Sequence, residues 1–99
     1  MLYNKLKKMR ERQGVFSCQN VEDLLTFIEG YGSALSENNI SDKDFNSFKN
    51  FNEFVKNCYS IESTHANWSM MIKFNSSNDE ESMRNFFLIL DQYYSTLLK

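Results

Sequence analysis

Apolar side chains recur along much of the chain at intervals of three and four residues, the spacing that places them on one face of an α-helix. The longest series lies near the C-terminus and consists of Met83, Phe86, Phe87, Leu90, Tyr94 and Leu97. Asn78 and three acidic residues precede it, and these residue types favour the cap and first turn of a helix. The pattern predicts a central helix from Asn78 to about Leu98.

Three shorter series predict three further helices. The first has Leu2, Leu6 and Met9 on its apolar face and is expected to end before Gly14, because glycine often follows the last helical residue. The second follows the capping residue Asn20, and its apolar face comprises Val21, Leu24, Leu25, Ile28 and Leu35. The third follows Ser41-Asp42-Lys43-Asp44, which resembles a capping box with Asp in place of Glu. Its broad apolar face comprises Phe45, Phe48, Phe51, Phe54, Val55 and Cys58.

The segment from His65 to Phe74 fits two patterns. Trp68, Met71 and Ile72 suit a short helix, whereas alternation of Trp68, Met70, Ile72 and Phe74 suits a strand. We favour the helix, because no second strand is evident and a lone strand would leave its backbone groups unpaired. The predicted fold is therefore all-α, a compact bundle of about five helices in a single domain, residues 1–99. The alternative is an α+β fold with a small hairpin near residues 66–75.

Composition supports one helical domain. The 99 residues contain no proline and only three glycines, so no linker divides the chain. No apolar run approaches the roughly 20 residues that a membrane span needs. The opening residues Met1-Leu2-Tyr3-Asn4-Lys5 lack the apolar region of a signal peptide. We expect a cytoplasmic protein with no membrane association.

Charge is distributed unevenly along the sequence. Residues 1–12 carry five basic side chains and one acidic, whereas residues 13–99 carry six basic and twelve acidic. The first helix is therefore basic and the rest of the domain acidic. A basic segment can contact nucleic acid, although it is more often the solvated face of a helix.

Catalytic and metal-binding sets are not evident. His65 is the only histidine, and Cys18 and Cys58 have neither a metal-ligand spacing nor a nucleophile motif, so both cysteines are interpreted as small core residues. Gly30-Tyr31-Gly32 lacks the context of a phosphate loop and is interpreted as a helix end. We expect no enzyme activity, no catalytic residue, no metal and no cofactor.

The acidic surface is the remaining candidate for function. We predict that Glu22, Asp23, Glu29, Asp42 and Asp44 lie on the outer faces of the second and third helices and bind a basic partner. The competing interpretation is a solvated surface that only keeps the protein in solution.

The segment Lys8-Met9-Arg10-Glu11-Arg12-Gln13-Gly14-Val15-Phe16 resembles the opening K-I-R-x-R-P-G-M-[YF] of small bacterial immunity-type proteins. In those proteins a helix ending in a G-Y pair follows, similar to Asn20–Tyr31 here. Later segments are also similar: Phe51-Asn52-Glu53-Phe54-Val55, Thr64-His65-Ala66-Asn67-Trp68 and the closing helix with Phe86-Phe87, Leu90-Asp91 and Tyr94. Two departures are Gln13 in place of Pro and Ser17-Cys18 in place of an apolar residue and Gly.

The resemblance implies an immunity protein of a toxin–immunity pair, such as those of contact-dependent growth inhibition. Its partner would be a cognate toxin domain, with a nuclease as the expected class, and the oligomeric state stays open. Because nuclease clefts are basic, an acidic inhibitor suits them. The alternatives are a nucleic-acid-binding regulator that uses Lys7, Lys8 and Arg10, and, less favoured, a small enzyme that uses His65.

The predicted central helix can be tested by alanine substitution. Phe87→Ala and Leu90→Ala should each lower the free energy of unfolding by about 2–5 kcal/mol, because each empties a core site. Asn85→Ala and Gln92→Ala, on the opposite face, should change it by less than about 0.5 kcal/mol. Denaturant midpoints that reverse this order would mean that the apolar face is misassigned.

Overall fold

Every secondary-structure element in the described part of the chain is helical. The computed structural model describes residues 2–11, 19–62 and 66–97. Its helices are α1 (Leu2–Glu11), α2 (Val21–Glu37), α3 (Lys43–Ser47), α4 (Phe51–Tyr59), α5 (Trp68–Phe74) and α6 (Asp79–Leu97), and a 3-10 turn (Phe48–Asn50) joins α3 directly to α4. No strand occurs in these residues, and they form five continuous helical segments. The all-α prediction is confirmed, and the hairpin considered near residues 66–75 is wrong, because that segment contains α5.

Short polar side chains cap four of the helices. Three begin after an asparagine whose side-chain oxygen accepts a backbone N–H three residues ahead, at 2.8–2.9 Å: Asn20 for α2, Asn67 for α5 and Asn78 for α6. The caps predicted at Asn20 and Asn78 are confirmed. For α3 the cap is Asp42 rather than Ser41, with the Asp44 N–H 3.0 Å from Asp42 Oδ1. The predicted end of α1 before Gly14 lies outside the described residues.

Helix α6 contributes the largest set of buried side chains: Ser82, Met83, Phe86, Phe87, Ile89, Leu90, Tyr93 and Tyr94. It packs against α2, α4 and α5, which agrees with the predicted central helix. Leu97, predicted on the same apolar face, is 47% exposed and is the last residue of α6. Asn85 is half-buried and donates to Ser76 Oγ at 2.9 Å, so exposed Gln92 is the better surface control.

Phe51 is the hub of an aromatic cluster that joins four segments of the chain. Its ring is fully buried, and its centroid lies within 6 Å of four other aromatic rings: Phe48 at 4.7 Å, Tyr93 at 5.4 Å, Trp68 at 5.8 Å and Phe86 at 5.9 Å. Three of these contacts are edge-to-face, a favoured arrangement of aromatic pairs. The cluster therefore joins the 3-10 turn, α4, α5 and α6 into one core.

The predicted third helix is interrupted where α6 binds its backbone. The backbone N–H of Phe51 bonds to the carbonyl of Phe48, a 3-10 spacing, and the carbonyl of Ser47 accepts the hydroxyl of Tyr93. The hydroxyl of Tyr94 donates to the carbonyl of Asp44 at 2.9 Å. Because these carbonyls have partners on another helix, the chain can change from α to 3-10 geometry without leaving buried acceptors unpaired.

Helix α2 continues through both glycines to Glu37, so the helix end expected at Gly30-Tyr31-Gly32 is wrong. The glycines have different surroundings. A Cβ added at Gly30 would meet no atom within 4 Å, whereas one at Gly32 would lie 2.3 Å from Cζ of Phe45. Gly32 is therefore the point at which the Phe45 ring lies directly against the α2 backbone.

This difference gives a matched pair of variants. Gly30→Ala should raise the free energy of unfolding by about 0.5–1 kcal/mol, because alanine is the better helix former and meets no obstacle. Gly32→Ala makes the same improvement in helix propensity but displaces the Phe45 ring. Its free energy of unfolding should therefore be lower than that of Gly30→Ala by at least about 0.5 kcal/mol. Chemical denaturation followed by circular dichroism measures both. Equal stabilisation of the two variants would contradict the close approach of Phe45.

Candidate functional site

The five acidic residues predicted to bind a partner are divided between the surface and the interior. Asp42 is only 2% exposed, so its assignment to an outer face is wrong. Asp42 Oδ2 accepts the backbone N–H of Leu2 at 3.1 Å and also the hydroxyl of Tyr31. Burial alone would raise the pKa of Asp42, but the hydrogen bonds from Tyr31 and from backbone N–H groups outweigh it and lower the pKa. Asp42 is therefore a buried carboxylate that anchors α1.

Asp44 and Asp91 complete the attachment of α1. Asp44 is half-buried, and its Oδ2 accepts the backbone N–H of Tyr3 at 3.3 Å. Asp91 accepts the Tyr3 hydroxyl and the Arg10 guanidinium, both at 2.8 Å. The Tyr3 ring stacks on that of Tyr94 at 4.4 Å between centroids. Carboxylates near the first N–H groups of a helix also complement its dipole.

The tyrosine hydroxyls of this network remain protonated donors. Burial and the hydrogen bond to Asp42 raise the pKa of Tyr31 to about 12. Burial and the hydrogen bond to Asp91 raise the pKa of Tyr3 to about 12. Both hydroxyls therefore keep their protons, and their carboxylate partners stay ionised, throughout the neutral range.

The basic side chains of α1 are partly engaged within the protein. Arg10 pairs with Asp91 and lies 5.3 Å from the centroid of the Phe87 ring. Lys7 Nζ lies 4.3 Å from the centroid of the Tyr3 ring. Lys5 and Lys8 are exposed. Of the three residues named for nucleic-acid contact, Lys7 and Arg10 thus have cation–π or ionic partners on the protein itself.

Of the three acidic residues of α2 that are predicted to bind a partner, Glu22 and Glu29 are exposed. They are seven residues apart, so they share one face of the helix about 10 Å apart along its axis. Asp23 is half-buried and completes the N-terminal cap, because its Oδ2 accepts the backbone N–H of Gln19 at 3.1 Å. The exposed acids of the predicted set on α2 are therefore Glu22 and Glu29, which we call the α2 acidic edge.

Helix α5 lies beside this edge and exposes an apolar stripe. Lys73 Nζ is 2.6 Å from Glu22 Oε1, and the hydrogen bond and charge of Glu22 raise the pKa of Lys73. Met70 and Phe74 lie on the same exposed face of α5 as Lys73, at i, i+4 and i+3, and are 44% and 75% exposed. This stripe was not identified in the sequence analysis. The available signal is that Met70 and Phe74 are apolar but lie outside the helical face formed by Trp68, Met71 and Ile72.

An apolar cleft of about 190 Å³ opens at the other end of α5. Its walls are formed by Leu25 and Ile28 of α2, by Phe45 and Phe48, and by Trp68 of α5. Glu29 of the acidic edge and Lys49 of the 3-10 turn also line it. Because Glu22 meets the C-terminal end of α5 and Glu29 lies near its N-terminal end, α2 and α5 run antiparallel. The acidic edge thus extends from the apolar stripe to the cleft.

The described residues that were candidates for catalysis or metal binding do not form a site. Cys58 is a free thiol and is exposed, so its interpretation as a core residue is wrong: α4 turns its apolar face inward at Phe51 and Val55 and leaves Cys58 outside. His65 and Cys18 lie outside the described residues. Among residues 2–11, 19–62 and 66–97, no three His, Cys, Asp or Glu side chains are grouped so that they could hold a metal ion. None of the helices in these ranges is both long and apolar enough to cross a bilayer.

The chain matches no protein-family model, no curated protein and no solved structure.

The attachment of α1 predicts a dependence of stability on pH. The pKa values of Asp42 and Asp91 lie below the ordinary 3.8 in the folded protein, so their contribution is fully present above about pH 5. That contribution decreases as the pH falls through 3.8 and is lost below the lowered pKa values. We expect the free energy of unfolding to decrease in this window, with the amides of α1 losing hydrogen-exchange protection before those of α6.

A substitution at Asp42 tests the same attachment at neutral pH. In Asp42→Asn an amide NH₂ can face the Leu2 N–H and the Tyr31 hydroxyl, both of which are donors. The variant should lose about 1–3 kcal/mol of stability at pH 7 and depend less on acid than the wild type. Glu37→Gln, at an exposed site, is the control and should leave both unchanged. An Asp42→Asn protein as stable as the control would contradict the anchoring role.

Proposed function

We propose that this chain is an immunity protein, which binds a cognate bacterial toxin domain one-to-one and blocks it without turnover. The structural observation that carries the proposal is the apolar stripe of α5, Met70 and Phe74, beside the acidic edge of α2. The sequence resemblance to immunity-type proteins supplies the class of partner.

The stripe and the edge together have the composition of a protein–protein interface. A large exposed aromatic side chain can dominate binding energy, because its ring can be buried fully at the centre of an interface while the contacts around it exclude water. Phe74 is the most exposed of the large apolar side chains in the described residues, at 75%. Lys73 and Glu22 form an ion pair next to it. This arrangement supports a binding role for the α5 face.

Charge supports a basic partner. Glu22 and Glu29 are exposed acids of α2, and residues 13–99 carry twice as many acidic as basic side chains. A nuclease holds the phosphates of its substrate in a basic cleft, which an acidic surface can approach rapidly and occupy. We therefore propose a nuclease as the class of toxin. The proposed contact residues are Met70, Phe74, Glu22 and Glu29, and the buried Asp42 and the anchoring Asp44 are no longer among them.

Co-expression with a toxin domain encoded next to this chain tests the proposal. Wild-type protein should protect cells and form a one-to-one complex whose association slows as salt is added. Phe74→Ala should weaken the complex at least about tenfold, as expected for a central aromatic contact, without changing stability by more than about 0.5 kcal/mol. Leu88→Ala, an exposed leucine of α6, is the matched control.

Charge reversal tests the acidic edge separately. Glu29→Lys should weaken binding and reduce its dependence on salt, whereas Glu53→Lys, at an exposed glutamate of α4, should change neither. If wild-type protein neither binds nor protects, the immunity function is wrong. If it protects and all four variants behave alike, the function stands and the assigned surface is wrong.

A further inference from the structure

Helix α1 lies outside the aromatic cluster that joins the other segments of the core. The rings of that cluster belong to Phe48, Phe51, Trp68, Phe86 and Tyr93. None of these rings is on α1, which packs mainly against α3. It contacts α6 through Tyr3, whose ring stacks on that of Tyr94, and through Arg10. Release of α1 would therefore leave every ring contact of the cluster in place.

Four hydrogen bonds join the described residues of α1 to the rest of the protein, and all four end on carboxylates. Their donors are the backbone N–H groups of Leu2 and Tyr3, the Tyr3 hydroxyl and the Arg10 guanidinium. Their acceptors are Asp42, Asp44 and Asp91. A carboxylate is strongly hydrated in water, so water can replace each of these donors once α1 has left. Release of α1 therefore breaks its docking contacts but leaves none of these acceptors buried without a partner.

Asp42 caps two helices at once. Its Oδ1 accepts the backbone N–H of Asp44 at 3.0 Å and so caps α3. Its Oδ2 accepts the backbone N–H of Leu2 at 3.1 Å, in the first turn of α1, and Asp44 Oδ2 accepts the next N–H, that of Tyr3, at 3.3 Å. The first N–H groups of a helix have no acceptor within the helix itself. Helix α1 therefore receives from the start of α3 the acceptors that a local cap would otherwise provide.

The α1 segment is a poor helix when it is separated from the body. It has ten residues, and isolated helices of fewer than about 12 residues are marginal in water. Its first turn contains no acidic residue to complement the helix dipole, and Lys5 and Lys8 place like charges one turn apart. Its buried side chains, Leu2, Leu6 and Met9, are removed from water only by docking. Release of α1 should therefore be accompanied by the loss of its helix.

We infer that α1 is a strap, a segment that leaves the body and unfolds as a unit while the core around Phe51 stays folded, and that Asp42 is its latch. Opening of the strap frees the carboxylates of Asp44 and Asp91 and uncovers the ring of Tyr94. The protein thus has a second, more acidic surface that it presents only when α1 is released. The inference does not depend on the immunity function, and the free protein is enough to test it.

Amide hydrogen exchange of the full chain, followed by NMR at low urea concentrations, is the first test. The amides of Leu6 and Met9 report the opening of α1, and those of Phe87 and Leu90 report the unfolding of the core. After correction for intrinsic rates, we expect the α1 amides to exchange at least about tenfold faster than the α6 amides. Their exchange should also depend less on urea, because opening the strap exposes less surface than global unfolding. The same rate and the same urea dependence in both sets would overturn the strap.

A conservative core variant separates the strap from the rest of the protein. Ile72→Val removes one methyl group from the buried face of α5, which stays packed when the strap opens. The α6 amides should therefore exchange at least about threefold faster than in the wild type, and the α1 amides should exchange at the wild-type rate. If Ile72→Val accelerates both sets by the same factor, α1 opens only when the whole protein unfolds and the inference is wrong.

Variants at the carboxylates that hold α1 should behave in the opposite way. The hydrogen bonds of Asp91 go to Tyr3 and Arg10, so Asp91→Asn weakens only the closed form and should accelerate exchange in both sets by the same factor, at least about threefold. Asp42→Ser keeps a capping oxygen for α3 but removes the second one, so the α1 amides should exchange at least about tenfold faster. Glu37→Gln is the exposed control and should change neither set. Unchanged α1 exchange in Asp42→Ser would show that Asp42 is not the latch.

Discussion

The burial of Phe51 among four other aromatic rings is the constraint on which the rest of the fold depends. Three of the five rings come from the 3-10 turn, α4 and α5, which are too short to be stable alone, since isolated helices of fewer than about 12 residues are marginal in water. The seven-residue α5 is the clearest case, because it packs against α2, α4 and α6 and supplies Trp68 to the cluster. A domain of this size can bury only a modest core, and large rings make the most of it.

The uneven charge of the sequence has a structural counterpart in the attachment of α1. The basic helix is bound to the acidic body through Asp42, Asp44 and Asp91, which receive backbone, tyrosine and arginine donors. Carboxylates engaged in this way are not available to an outside partner. The acidic character of the surface is therefore carried by other residues, and Glu22 and Glu29 on α2 are the ones that lie beside apolar features.

The two apolar features on this side of the molecule arise from the same cause. Helix α5 is short and lies between larger helices, so its buried face is complete with Trp68, Met71 and Ile72 while Met70 and Phe74 face outward. Trp68 is also the first residue of α5 and forms one wall of the cleft. Because α2 runs antiparallel to α5, Glu22 lies at the C-terminal end of α5 and Glu29 near its N-terminal end. The proposed interface is thus a consequence of how α5 packs among the neighbouring helices, and no sequence motif encodes it.

Helical periodicity and the types of the capping residues were enough to predict the all-α class, the caps at Asn20 and Asn78 and most of the buried face of α6, because spacing and capping are local properties of the chain. The inward position of Asp42, the exposure of Cys58 and the passage of α2 through Gly32 were decided by the tertiary structure. For Asp42 and Gly32 the neighbours that matter are distant in the sequence: Leu2 and Tyr31 supply donors to Asp42, and Phe45 lies against Gly32. The residues next to an Asp or Glu in the sequence do not show whether a donor from a distant part of the chain will pack against it. The sequence therefore identified the acidic residues, but only the tertiary structure distinguished the buried carboxylates that anchor α1 from those of the α2 acidic edge.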